Sequence, residues 1–303
     1  MNEDAFLAAL LPTLPQHESV IVPPGDDCAA IALDAQRVLL IAADQLVAGT
    51  HYLSRDSDHP TPPELAGRKL LARNLSDIAA MGGKPTYALL TLAVDAETSE
   101  NDLLAYTSGI TELANQHGVS IVGGDVGRGP GHVGSLTILG EAHPDRLMLR
   151  SQAQAGDLIM VTGCCGRSFE SDHHLHFLPR LAEGQWLAKQ GCRCAIDLSD
   201  GLIKDLTRLC TASHKQAIIS GAVVPLREKA SLEQALYDGE DYELLFAVSP
   251  AYADQIRDTW PFETRLTTLG SFRQLSEQMA SPVLINSEGK CSPPTGKGFT
   301  HFD

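Results

Sequence analysis

The sequence lacks long apolar runs and an excess of basic residues. No segment approaches the roughly eighteen consecutive apolar residues of a membrane-spanning helix. The 303 residues carry 38 acidic and 23 basic side chains, a net charge of −15, which disfavours nucleic acid as a partner. Glu3 and Asp4 stand where a secretory signal would carry basic residues. We therefore expect a cytoplasmic protein without a membrane or nucleic-acid partner.

Cysteine pairs of the C-x-x-C type are also absent. The seven cysteines are odd in number, which argues against a disulfide framework and against a zinc finger. We expect Cys164, Cys165, Cys192 and Cys194 to be reduced, partly buried thiols.

The common nucleotide-binding loops are missing too. No G-x-x-x-x-G-K-[ST] loop occurs. The run from Gly129 to Gly134 has the spacing G-x-G-x-x-G, but Ser135 to Gly140 is predicted to be a strand, whereas the dinucleotide motif needs a helix there. Any binding of phosphate must use other groups.

The length and pattern predict two domains. Strands and helices alternate in both halves, which is typical of an α/β (α+β) fold. The pattern loosens between Asp145 and Gly156. We place the boundary there, giving domains at 1–148 and 149–303.

One predicted helix carries an acid beside its apolar face. Thr61 as N-cap and Glu64 as capping-box residue predict a helix from about Glu64 to Gly82-Gly83. Asp77 falls next to the stripe that contains Leu75. A solvated face is the alternative for this acid alone.

Other acids occupy comparable positions at the ends of elements. Asp44 ends the predicted strand Val38 to Ala43, and Asp125 follows a predicted short buried strand, Val119 to Val122. Turn chemistry explains a single Gly-Asp, and an N-cap role explains one acid near Ser199. Neither explains the full set, which is Asp27, Asp44, Asp77, Asp125, Asp197 and Asp200.

Carboxylates that converge must hold protons or bind cations. At about 4 Å and an effective dielectric near 20, two of them repel by roughly 4 kcal/mol. Mg²⁺ prefers oxygen ligands and bridges carboxylates to nucleotide phosphates. Such a site suits phosphoryl transfer by positioning and charge neutralisation. The histidine cluster His173, His174 and His176 is predicted to be a surface loop rather than a zinc site.

Six motifs occur in a fixed order along nearly the whole chain: GDD, L-V-x-G-x-H, NLSDIAAMG, GGD-x-x-RGP, IDLSDGL and GEDYEL. In this order they resemble the thiamine-monophosphate kinase family of the AIR synthetase-like superfamily. The resemblance implies a homodimer whose N-terminal sheets pair into a shared barrel, with a C-terminal α/β domain in each copy. It also implies transfer of the γ-phosphoryl group of ATP to thiamine monophosphate with Mg²⁺.

Site residues follow from the same resemblance. The six aspartates given above look like Mg²⁺ ligands. Gly124, Asp125, Arg150 and Ser199 look like ATP contacts, and His51, Glu240 and Phe299 look like substrate contacts. From the sequence alone, the tail aromatics Phe299 and Phe302 are predicted either to belong to the core or to cover a ligand ring. The acceptor is an anionic phosphate oxygen, so no catalytic base is assigned.

The chain departs from the family pattern at several positions. Ala43 and Val126 replace usual hydroxyl residues, and the segment after Gly163 is short. Two alternatives therefore stay open: another ATP-dependent enzyme of the superfamily, or a paralogue that binds nucleotide or thiamine phosphate without turnover.

Overall fold

The computed structural model describes residues 3–275, 281–287, 289–296 and 298–299. Eight α-helices and thirteen strands form this part of the chain, and the strands build two sheets. The predicted α/β (α+β) class is therefore confirmed. None of the helices described here has the length and apolarity to cross a membrane.

The first sheet has the order β1-β2-β3-β6-β4-β5. Strands β4 and β5 are parallel and are joined by a helix, while the other neighbours are antiparallel. The elements are α1 (Glu3–Leu10), β1 (Val20–Val22), β2 (Ala29–Ala32), β3 (Val38–Val47), α2 (Pro63–Ala80), β4 (Lys84–Val94), α3 (Glu100–His117), β5 (Ser120–Arg128) and β6 (Val133–Ala142).

The second sheet has the order β13-β12-β9-β11-β7-β10-β8 and is antiparallel except for the β12–β9 pair. Its strands are β7 (Leu158–Thr162), β8 (Cys194–Asp197), β9 (Lys215–Ser220), β10 (Leu244–Val248), β11 (Leu266–Gln274), β12 (Val283–Ser287) and β13 (Lys290–Ser292). The accompanying helices are α4 (His173–His176), α5 (Leu181–Lys189), α6 (Leu202–Ser213), α7 (Leu232–Tyr237) and α8 (Pro250–Thr259). The division at residue 148 stays a prediction.

Helix α2 is the central element of the fold. Twelve of its 18 residues are buried, and it packs against both the first sheet and α5 of the second half. The predicted helix is confirmed, but the predicted N-cap is wrong. Pro62 is the N-cap, because the Thr61 hydroxyl instead accepts a hydrogen bond from the Leu53 amide at 3.1 Å.

Two strand predictions need correction. Strand β3 continues through Asp44 to Val47 rather than ending at that acid. The predicted short buried strand after Gly118 is instead β5, which runs to Arg128 with every residue exposed in the single chain. Its position at the edge of the sheet leaves it uncovered, and apolar composition alone does not reveal sheet order.

The predicted histidine surface loop is also wrong, because the segment folds into α4. His174 is only 2% exposed and stacks on Phe169 at 4.3 Å. The His173 ring Nε2 lies 3.0 Å from the carbonyl oxygen of Asp241, and burial lowers the pKa of His173 to about 4. The His174 ring nitrogen Nδ1 lies 3.0 Å from the Ser168 carbonyl oxygen, so both rings have structural partners.

The cysteines are free thiols, as expected. Cys165, Cys192 and Cys194 are buried, and Cys164 is half-buried. Burial raises the pKa of the Cys192 thiol to about 12, which keeps it protonated and poorly nucleophilic.

Candidate active site

Three aspartates distant in sequence converge where the two halves of the chain meet. Asp27 precedes β2, Asp77 lies on α2 and Asp197 ends β8. Their carboxylate oxygens lie within 4.8 Å of one another. The Ser76 hydroxyl, beside Asp77 on α2, donates to Asp197 Oδ2 at 2.7 Å. We call Asp27, Asp77 and Asp197 the acidic cluster.

The electrostatics of the acidic cluster favour a cation. Burial raises the pKa of Asp77, and the charge of Asp44 adds to this effect. Burial also raises the pKa of Asp197, with Asp27 as the next cause. Arg150 compensates part of the charge, because its Nη2 donates to Asp27 Oδ1 at 2.6 Å. Carboxylate oxygens of two buried acids and one half-buried acid, with excess negative charge, fit Mg²⁺.

The other three predicted metal ligands lie outside this group. Asp44 Oδ2 lies 3.3 Å from Arg73 Nε. Asp200 binds Lys204 at 2.7 Å and Arg208 at 2.6 Å. Burial would raise the pKa of Asp200, but these two cations outweigh it and hold the pKa below its usual value. Asp200 is therefore already neutralised by neighbouring side chains.

The predicted nucleotide contacts fall in two places. Arg150 contacts the acidic cluster through Asp27, and Ser199 lies two residues after Asp197, in the loop that follows β8. Gly124 and Asp125 lie on the exposed edge strand β5, three strands from β3. At about 4.8 Å per strand, that places Asp125 roughly 14 Å from Asp44 along the sheet, too far for both to hold one ion.

The predicted substrate contacts share one cleft. Its volume is about 260 Å³. His51, Glu240 and Phe299 line it, together with Ser199 and Asp200. Sequence reasoning did not identify several further lining residues: Thr50, Arg73, Phe169, Glu170, Asp238, Gly239 and Tyr242. We call this pocket the substrate cleft.

Lys69, which sequence reasoning also missed, fixes two of these residues. Its side chain is 0% exposed. Its Nζ donates to the His51 carbonyl oxygen at 2.6 Å and forms an ion pair with Glu240. Burial lowers the pKa of Lys69 to about 8. A lysine two helical turns before Asp77, on the same face of α2, was the available signal.

Glu240 is held in a strained backbone. Its φ is +57°, that of Gly239 is +75° and that of Tyr242 is +50°. The Glu240 amide donates to the Ser199 carbonyl at 2.8 Å, which ties this turn to the loop after β8. Left-handed conformations of non-glycine residues persist where surrounding contacts enforce them, often at functional sites.

Phe299 is placed by backbone contacts with the start of α6. Its amide donates to the Asp200 carbonyl at 3.0 Å, and its own carbonyl accepts from Lys204 Nζ at 2.6 Å. A Cβ at Gly298 would lie 2.5 Å from the Asp200 oxygen, so this close approach requires glycine. Phe302 lies outside the described residues.

Known proteins of one family are similar to this chain over most of its length. The chain is 33% identical to a thiamine-monophosphate kinase of Buchnera aphidicola over 92% of both chains. It is 30% identical to that of Bacillus subtilis over 100% of both. The chain belongs to the thiamine-monophosphate kinase family. The resemblance seen in the six motifs is thereby confirmed.

The fold is shared with solved structures of the thiamine-monophosphate kinase family. The AIR synthase related protein, N-terminal domain, matches residues 25–142. AaThiL complexed with AMPPCP and TMP superposes with a TM-score of 0.84 at 24% identity, covering 99% of this chain and 97% of that one. The enzyme from Stenotrophomonas maltophilia gives 0.73 at 28% identity, covering 95% and 96%. The predicted AIR synthetase-like fold is confirmed.

Proposed function

We propose that this chain transfers the γ-phosphoryl group of ATP to thiamine monophosphate, giving thiamine diphosphate and ADP. One observation carries the proposal: a single face of α2 connects the substrate cleft to the acidic cluster. Lys69 on that face holds Glu240, and Asp77 two turns later belongs to the cluster. Relatives named thiamine-monophosphate kinase, and a solved relative that holds AMPPCP and TMP, support the choice of substrates.

The chemistry requires little covalent participation by the protein. A phosphate oxygen of the acceptor forms the new bond to the γ-phosphorus, while the bond to the oxygen that leaves with ADP breaks. The acceptor oxygen is already anionic, so no side chain needs to remove a proton. The task of the chain is to orient two anions in line and to exclude water.

The acidic cluster would hold Mg²⁺, through Asp27, Asp77 and Asp197. When bound, Mg²⁺ supplies the positive charge that allows two phosphate groups to approach these carboxylates. Arg150 lies at the same place and would contact the nucleotide phosphates once Asp27 is shared with the cation. Ser199 and His51 would contact the ligands from the substrate cleft.

A homodimer is part of the proposal. The edge strand β5 exposes apolar side chains, among them Val122 at 58% and Val126 at 61%. Tyr87 and Leu89 on the neighbouring β4 are also exposed. An uncovered apolar edge favours pairing with another chain. Pairing there would allow Asp125 of a second copy to complete the site that its own chain places too far away.

The test is a reaction with ATP, Mg²⁺ and thiamine monophosphate, followed by chromatographic separation of the thiamine phosphates. We expect thiamine diphosphate and ADP in equal amounts and none when Mg²⁺ is chelated. Product from unphosphorylated thiamine would indicate a different kinase. Binding of both ligands without product would identify a non-catalytic paralogue. The domain boundary at residue 148 and a cytoplasmic location belong to the same proposal.

A further inference from the structure

We propose that Arg73 binds the phosphate of the acceptor and thereby selects thiamine monophosphate over unphosphorylated thiamine. The inference rests on the proposed function and names a residue that neither the motifs nor the family resemblance assigned.

Arg73 lies between the two functional regions. It is four residues after Lys69 and four before Asp77, so all three lie on the same face of α2, about 6 Å apart along the axis for each step. Its side chain lines the substrate cleft. The charges of Glu240 and Asp77 both act on its guanidinium. A group bound to Arg73 would therefore lie beside the acidic cluster.

The guanidinium has donors to spare. An arginine side chain carries five N–H groups. Nη1 donates to the Gln45 carbonyl at 3.2 Å. Nε is buried and makes no hydrogen bond within the described residues. Asp44 Oδ2 lies 3.3 Å from Nε, but the two groups are poorly aligned for a hydrogen bond. A buried donor that lacks an aligned acceptor favours a ligand that supplies one.

Among the described lining residues of the substrate cleft, Arg73 is the side chain whose charge suits an anion. Arg73 is the one lysine or arginine among the described lining residues, beside the four acids Glu170, Asp200, Asp238 and Glu240. Burial lowers the pKa of the guanidinium, but Asp44 together with Tyr242, Glu240 and Asp77 outweighs burial, and the net pKa is raised. Asp200 and Glu240 are already paired with basic side chains, but Glu170 and Asp238 would repel a phosphate dianion unless a cation binds it. The planar fork of arginine matches phosphate oxygens in a bidentate fashion.

The experiment compares the dissociation constants of thiamine monophosphate and thiamine, measured by calorimetry in the absence of ATP. Arg73→Gln should weaken thiamine monophosphate binding by about ten- to a hundredfold, the range expected for hydrogen bonds to a charged group. Thiamine binding should stay within about twofold. Arg73→Lys, which keeps the charge but loses the fork, should give an intermediate loss.

Arg68→Gln is the matched control. Arg68 lies on the same helix, and its guanidinium donates to the carbonyl oxygens of Leu175 at 2.8 Å and Phe177 at 2.6 Å. It does not line the substrate cleft. This variant should keep the full preference for the phosphorylated ligand. Thermal unfolding of each variant checks that the fold is retained.

Several outcomes would overturn the inference. Equal loss of both ligands in Arg73→Gln would mean that the residue only supports Asp44 and the cleft wall. A selective loss of nucleotide binding would assign Arg73 to ATP. If Arg73→Gln keeps the preference for thiamine monophosphate over thiamine while the parent protein converts thiamine monophosphate normally, only this inference is refuted. If the parent protein shows neither the preference nor turnover, the proposed function is refuted as well.

Discussion

Replacing Asp77 by asparagine should stabilise the metal-free protein and remove its response to Mg²⁺. The cluster oxygens lie within 4.8 Å of one another. Two full charges at that distance repel by about 3.5 kcal/mol at an effective dielectric near 20. Burial raises the pKa of Asp77 and Asp197, which favours their neutral forms and reduces this repulsion. We therefore expect a gain of about 1–2 kcal/mol in the free energy of unfolding.

The assay is urea unfolding with and without Mg²⁺. In the parent protein, Mg²⁺ at a hundred times its dissociation constant should add about 2.7 kcal/mol. In Asp77→Asn that increment should vanish, because the amide supplies no compensating charge. Asp58→Asn, in the exposed segment between β3 and α2, makes the same charge change away from the cluster and should keep the increment. An Asp77→Asn protein that is less stable without metal and still gains stability from Mg²⁺ would refute the reasoning.

Three further predictions follow from the same geometry. Mg²⁺ binding should release protons, because Asp77 and Asp197 have raised pKa values and must deprotonate to bind the ion. The affinity for Mg²⁺ should therefore rise with pH. The calorimetric binding enthalpies should differ between buffers of different ionisation enthalpy. Equal enthalpies would contradict this. Gly298→Ala should displace Phe299, because the new Cβ would lie 2.5 Å from the Asp200 carbonyl oxygen. The KM for thiamine monophosphate should rise several-fold with little effect on the free energy of unfolding. An unchanged KM would mean that the tail does not contact the substrate. Val126→Glu should convert a dimer to monomers in light scattering and abolish turnover, whereas an active monomer would contradict the dimeric site.

Local sequence patterns predicted the central helix well. The apolar period of 3.6, the prolines and glutamate at its start and the two glycines at its end are all encoded between Pro62 and Gly83. The same patterns placed β6 nearly correctly and found the start of β3, but they ended β3 at Ala43 rather than at Val47. They failed for β5, because burial of a strand depends on its neighbours in the sheet, and those neighbours are distant in sequence.

The acidic cluster was predictable as a set of residues but not as a geometry. Asp27, Asp77 and Asp197 are separated by 50 and 120 positions, and no spacing rule specifies a contact at such distances. The family resemblance grouped them, together with Asp44, Asp125 and Asp200, which the described chain does not bring into the same cluster.

Lys69 and Arg73 were missed in the sequence, although both share a helix face with Asp77. A charged residue on a helix is usually on a solvated face, and long basic side chains often keep their charged ends in water. Only the packing of α2 between the two halves buries these side chains, so their importance follows from tertiary structure. The histidines of α4 were misplaced for the same reason.

The most direct test of phosphoryl transfer to thiamine monophosphate follows the phosphoryl group itself. The protein is incubated with Mg²⁺, thiamine monophosphate and ATP labelled at the γ-phosphorus. We expect to recover the label in the terminal phosphate of thiamine diphosphate, with one ADP formed for each labelled product. Label that appears only in inorganic phosphate, or remains in ATP while both ligands are bound, would contradict direct transfer to thiamine monophosphate.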